Sequence, residues 1–128
     1  MIVRALSDLI GTPRDVQGEF WASRRFLIAG DGVPFSLTET TMAAGSEHVM
    51  WYKHHVEANY IIAGQGEVEN LGTGEVFALA PGSVYVLDQH ERHRLKAFTE
   101  LRLVCVFDPA LVGRETHDSD GVYPPSAE

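Results

Sequence analysis

Hydrophobic positions fall in short runs rather than in long periodic stretches. Segments rich in Val, Ile, Leu, Tyr and Phe are separated by glycines spread between Gly30 and Gly121. Short β-prone runs between regular turn signals predict a sandwich or barrel. Strands are predicted over residues 2–6, 25–29, 35–42, 57–63, 67–71, 75–79, 83–87, 93–98 and 101–107. Gly64-Gln65-Gly66 and Gly72-Thr73-Gly74 supply turns between them. Residues 7–10 predict a short helical turn with Ser7 as its cap. No sustained helical period, repeat or low-complexity segment is present.

Alternation within the runs assigns faces. In 101–107, Leu101, Leu103, Cys105 and Phe107 share one side and Arg102, Val104 and Val106 the other. The side with Arg102 is expected outside, so Cys105 and Phe107 point inward. In 83–87, Tyr85 and Leu87 face one way and Val84 and Val86 the other, and both faces read as buried. After Asp108 the strand character ends, and the chain turns polar with Pro109, Pro124 and Pro125. The 128 residues are expected to form one domain, with a core barrel over about 35–108 and a closing tail over about 109–128.

Charge narrows the function. Ten Lys and Arg against 18 Asp and Glu leave a formal net charge of −8. That balance argues against a nucleic-acid partner, which needs a basic face to neutralise phosphates. It argues equally against an anionic membrane surface. The single cysteine, Cys105, excludes an intrachain disulfide. No signal peptide or membrane span is expected, which makes the cytoplasm the expected compartment.

Candidate chemistry concentrates between Gly45 and His93, a segment with the outline of a cupin. A cupin barrel brings two short motifs around one metal. Glu57, followed after six residues by Gly64, fits the end of the first motif, and Pro81-Gly82 fits the turn of the second. Tyr85 stands where the second motif places a metal-binding histidine. The first motif's two histidines are replaced, since their positions fall on Trp51 and Lys53 or on Met50 and Tyr52. His54 and His55 adjoin Glu57 instead, and strand alternation puts His55 with Glu57 and His54 on the opposite face. The candidate ligands are therefore Glu57, Tyr85 and His93, with His55 nearby. Such a mixed oxygen and nitrogen set suits Fe(II), Zn(II) or Mn(II), and three ligands leave positions open for a substrate. The competing reading is a metal-free barrel with its polar groups satisfied by hydrogen bonds.

Four strings carry a closer resemblance: YKHHVEA at 52–58, PGSVYVLD at 81–88, CVFDP at 105–109 and GRETHDSDGVYP at 113–124. With the initial MIVR, Trp21 and Arg25, they resemble the ectoine synthase family over nearly the whole chain. The resemblance implies an all-β, single-domain cupin (a double-stranded β-helix or jelly-roll barrel) with short helical or irregular segments and a lid-like C-terminal tail. It implies an iron site on Glu57, Tyr85 and His93. It implies a substrate pocket of Trp21, Arg25, Thr40, Tyr52, Cys105 and Phe107, together with Glu115 and His117 from the tail. His55 is implied as a supporting residue. The implied reaction is the closure of N-γ-acetyl-2,4-diaminobutyrate to ectoine with loss of water, a hydro-lyase activity. Glu115 and His117 are the implied proton carriers, and Glu57, Tyr85 and His93 complete the catalytic set. The implied assembly is a head-to-tail homodimer. Two other classes share the cupin outline: a metal-dependent dioxygenase, and a non-catalytic module that binds a small zwitterion.

Overall fold

A computed structural model describes residues 1–113. Ten strands are present: β1 (Asp15–Gln17), β2 (Trp21–Leu27), β3 (Ser36–Met42), β4 (Glu47–Trp51), β5 (Val56–Ala63), β6 (Gly66–Asn70), β7 (Val76–Leu79), β8 (Val84–Leu87), β9 (Arg92–Ala97) and β10 (Leu101–Asp108). They form a six-stranded sheet in the order β1-β2-β3-β10-β5-β8 and a four-stranded sheet in the order β4-β9-β6-β7. All pairings are antiparallel. The core lies between the sheets. Met42, Ile61, Leu87, Leu101 and Leu103 from the larger meet Met50, Val68, Leu79, Leu95 and Ala97 from the smaller. No helix among the described residues is long and apolar enough to cross a membrane.

Strand β10 shows why the alternation was legible. Leu101, Leu103, Cys105 and Phe107 are buried, while Arg102, Val104 and Val106 are half-buried on the outer face. Arg102 pairs there with Glu39 at 2.7 Å. Strand β8 departs from expectation, because only its Tyr85 and Leu87 side faces the core. Val84 and Val86 are 61% and 45% exposed. The reason is position, since β8 is the edge of its sheet and no layer covers its outer face.

Three other expectations are corrected. Residues 2–6 form no strand, and a 3₁₀ turn occupies Leu6–Asp8, where Asp8 rather than Ser7 accepts the Ala5 N–H. The predicted strand at 25–29 is displaced to Trp21–Leu27, and β1 precedes it. The larger sheet therefore takes in strands upstream of residue 35. Strand β4 had no predicted counterpart, because its sequence, Glu-His-Val-Met-Trp, does not alternate cleanly.

The N-terminal segment is tied down by charge rather than by strand pairing. Asp31 takes two hydrogen bonds from the Arg4 guanidinium and two from that of Arg14, all between 2.8 and 3.1 Å. Its carboxylate also accepts the Ile28 N–H at 2.9 Å. Hydrogen bonds from Arg14 and then Arg4 hold the carboxyl far below the usual range. This explains residues 1–5, because Arg4 follows Asp31 while the backbone beside it has no partner strand.

The turn between β5 and β6 depends on one glycine. Gly64 has φ +86°, and a Cβ there would overlap the backbone carbonyl of Glu100. Gly64→Ala should therefore destabilise the fold by roughly 3 kcal/mol, combining left-handed strain with steric overlap. Urea denaturation measures this, and a loss below about 1 kcal/mol would show that the turn relaxes.

Candidate active site

The register of the larger sheet lines up a row of inward side chains. Arg25 on β2 lies opposite Thr38 on β3, and Thr38 lies opposite Cys105 on β10. Cys105 lies opposite Asn59 on β5, and Asn59 lies opposite Tyr85 on β8. The next inward row runs Ser36, Phe107, Glu57 and Leu87. On the other side lies the row Ser23, Thr40, Leu103 and Ile61. Residues far apart in sequence converge because antiparallel pairing fixes which side chains stand side by side.

A cavity opens over these rows. Its walls include Trp21, Thr40, Tyr52, Glu57, Tyr85, Cys105 and Phe107, seven of the residues expected in the site. Arg25 is fully buried at the end of its row but does not line the cavity wall. His93 lies behind the wall. It shares a second cavity with Tyr85, and its ring sits 5.7 Å from that of Tyr52. His55 is buried with its ring edge-on to Phe107 at 5.8 Å, while His54 is exposed, as the alternation predicted. Glu115 and His117 lie outside the described residues.

Local packing fixes the aromatic walls. Tyr52 meets Phe107 edge-to-face at 5.3 Å, and its hydroxyl donates to the Met50 sulfur at 3.2 Å. Gly18 leaves room for the Trp21 indole, which any Cβ there would overlap. The residues behind Tyr52 are bound into the rim: His90 Nδ1 reaches the Tyr52 carbonyl at 2.8 Å, and Trp51 Nε1 donates to the His90 carbonyl at 2.8 Å.

Electrostatics in the cavity are governed by burial. Desolvation raises the Glu57 pKa to about 8, against smaller opposing effects from Asn59 and then Cys105. Burial also raises the Tyr85 phenol, and the charges of Glu57 and Cys105 raise it further. Cys105 is raised by burial first and by the Glu57 charge second, and its thiol donates to the Thr40 hydroxyl at 3.7 Å. Cys105 is thus a protonated wall residue and not a thiolate nucleophile. Burial lowers the His93 pKa, which leaves its imidazole neutral near pH 7.

One of these groups has the form of a metal ligand. His93 Nδ1 lies 3.1 Å from the Glu91 carbonyl oxygen, which only accepts, so Nδ1 carries the proton. Nε2 then holds the free lone pair, and it is buried without a protein partner. A histidine oriented through one ring nitrogen with the other left open is the arrangement metal ligation requires. No group of three His, Cys, Asp or Glu suited to a metal occurs among the described residues, so a three-ligand site here requires the Tyr85 phenol.

Ser23, His48 and Asn59 also line the cavity and were not anticipated. Alternation along β5 places Asn59 on the Glu57 face, a signal available in the sequence. His48 sits on β4, the strand the pattern missed.

The two sheets, their connection order and the cavity between them define a cupin. A solved RmlC-like cupin from Shewanella frigidimarina shares the fold, with a TM-score of 0.61 at 19% identity over 75% of this chain and 82% of that one. The chain belongs to the ectoine synthase family, whose family model matches residues 1–127. It is 55% identical over 128 residues to L-ectoine synthase of Oceanobacillus iheyensis, covering all of both chains. The crystal structure of ectoine synthase from P. lautus superposes with a TM-score of 0.89 at 45% identity, covering 100% of this chain and 93% of that one.

The Glu57 environment predicts a pH dependence for chelator-treated protein. Between about 4.5 and about 8 the folded carboxyl keeps a proton that the unfolded chain releases. The Glu57 contribution to stability is then fullest below 4.5, falls as pH rises through this window and levels off above it. The drop is on the order of a few kcal/mol. Glu57→Gln should flatten the slope, as read from urea midpoints across pH; an unchanged slope would assign it to other groups.

Proposed function

We propose that the protein closes N-γ-acetyl-2,4-diaminobutyrate to ectoine with loss of water. The observation carrying this reading is that five of the implied pocket positions, Trp21, Thr40, Tyr52, Cys105 and Phe107, line one cavity together with two of the implied iron ligands, Glu57 and Tyr85. In the reaction the α-amine lone pair forms a C–N bond to the acetamide carbon, and the carbonyl π pair moves to oxygen. Two N–H protons transfer to that oxygen, the C–O bond breaks, water leaves, and a C=N bond completes the cyclic amidine.

The residues divide this work. Arg25 pairs with the substrate carboxylate, for which its planar fork is suited. Trp21, Tyr52 and Phe107 enclose the curled substrate and exclude water, and holding amine against carbonyl contributes up to ~7–11 kcal/mol to the barrier reduction. Glu115 and His117 carry protons to and from the reacting nitrogen and oxygen. Glu57, Tyr85 and His93 hold a divalent ion, Fe(II) in this reading. When bound, that ion supplies Lewis-acid polarisation of a carbonyl.

Self-association belongs to the same reading. The outer face of β5 and β8 exposes Tyr60, Ile62, Val84 and Val86 as neighbouring apolar side chains. A second copy of the chain, arranged head-to-tail, is the proposed cover. Sedimentation should find a dimer that Val84→Glu converts to monomer; a monomeric parent protein would overturn the assignment.

The decisive experiment mixes Fe(II)-loaded protein with N-γ-acetyl-2,4-diaminobutyrate without oxygen and follows ectoine by chromatography. Anaerobic product supports the cyclisation and excludes a dioxygenase. Substrate binding without product would mark a binding module. Glu57→Ala, Tyr85→Ala and His93→Ala should each weaken iron binding at least about tenfold. Arg25→Ala should raise KM about tenfold or more, the loss expected for a charge-assisted hydrogen bond. Full iron content in all three ligand variants would refute the ligand set, and an unchanged KM would remove Arg25 from the carboxylate.

A further inference from the structure

Asn59, like Ser23 and His48, is a cavity residue that the reading above leaves without a task. It is 2% exposed and lines the cavity between Cys105 and Tyr85, its neighbours on β10 and β8. Its Nδ2 is buried and has no hydrogen-bond partner. An amide nitrogen is donor-only, with two N–H groups to satisfy. Ser36 Oγ and Thr38 Oγ1 are also buried without partners, but neither side chain reaches the cavity wall; His48 Nε2 is unpartnered and does line it, but from β4 of the smaller sheet, away from the row that carries Cys105 and Tyr85.

Asn59 stands beside Glu57. The two side chains are successive inward residues on β5, and Asn59 favours the carboxylate form of Glu57. The approach still falls short of a full hydrogen bond, so at least one N–H is left for an acceptor from the cavity. Leaving a buried donor unpaired destabilises the empty protein, and a bound ligand oxygen relieves that cost.

We propose that Asn59 donates from Nδ2 to the acyl oxygen of the bound substrate, which makes it a substrate-contacting residue of this chain's site. The assignment rests on the cyclisation reading. It puts the acyl end of the substrate away from Arg25, the proposed partner of the carboxylate end, which stands further along the same row. Asn59 and Arg25 are three strands apart in one row, at most roughly 14 Å between backbones. Two inward side chains and the curled substrate share that gap. The donor also sits where negative charge develops as the amine attacks, so it binds the transition state more tightly than the ground state.

The test uses Asn59→Leu, which keeps the branching of the side chain and removes the donor, with Asn59→Ala as a second variant. Expected for both are a roughly tenfold or greater fall in kcat/KM, iron content equal to the parent protein, and for Asn59→Leu an unchanged or raised Tm. Calorimetric affinity of chelator-treated protein for the substrate should fall as well. A kcat/KM within twofold of the parent in a folded, iron-replete variant would overturn the proposal. Activity lost in proportion to iron would also overturn it, because Asn59 would then serve only to orient Glu57. A parent protein inert toward the substrate would sink the cyclisation reading itself, and this assignment with it, before any variant is made.

Discussion

The carboxyl of Glu57 is buried inside the barrel, and the rest of the site answers to that fact. Removing a carboxylate from water is costly unless a charge or several hydrogen bonds replace the solvent. The groups that act on Glu57 to favour its charge are Asn59 and Cys105, and neither is cationic. The charges of Glu57 and Cys105 in turn raise the Tyr85 phenol further, so the two acids oppose each other's ionisation. A pair of buried acids that resist ionisation is poised for a cation. Binding one would release their protons and exchange an unfavourable burial for a favourable contact. The same burial that makes Glu57 a poor free carboxylate therefore makes it a suitable ligand.

That arrangement depends on strand register more than on any single contact. Five strands contribute one residue each to the row from Arg25 to Tyr85. A slip of one residue in any of them would turn its functional side chain outward and put an outer residue into the core. The hydrophobic members of the same strands, such as Ile61 on β5 and Leu103 on β10, are fully buried and resist such a slip. Packing of the core thus positions the chemistry. The register irregularities fall at the margins of the site, between Arg102 and Leu103 and between Arg25 and Leu27. The second of these ends the inward row immediately after Arg25.

Much of this was legible before any coordinates. Clean alternation in β10 and the Gly64 turn gave faces and connections directly. The spacing of Glu57, Gly64 and Pro81-Gly82 pointed to a cupin, and Tyr85 stood in its ligand slot. What escaped had physical causes. Strand β2 was displaced because Arg25, fully buried, looks from sequence like one of two solvated arginines beside Arg24. Strand β4 lacks clean alternation, and His48 was lost with it. Asn59 was passed over because a polar residue in a strand gives no sign of facing a cavity until its neighbours across the sheet are known. The outer face of β8 was misjudged because sequence does not say which strand is an edge.

That edge ties assembly to the site. Strand β8 pairs on one side only, with β5, yet it carries Tyr85 inward between Asn59 and the second cavity. A four-residue edge strand with one neighbour is held less firmly than the central strands. Its outward residues, Val84 and Val86, are apolar and exposed, where an isolated edge would favour charge. Covering that face with a second copy would bury the apolar pair and stiffen the strand from outside. The position of the Tyr85 hydroxyl would then be set by the assembly as well as by the barrel. Dissociation would loosen the ligand set without touching any residue of the cavity.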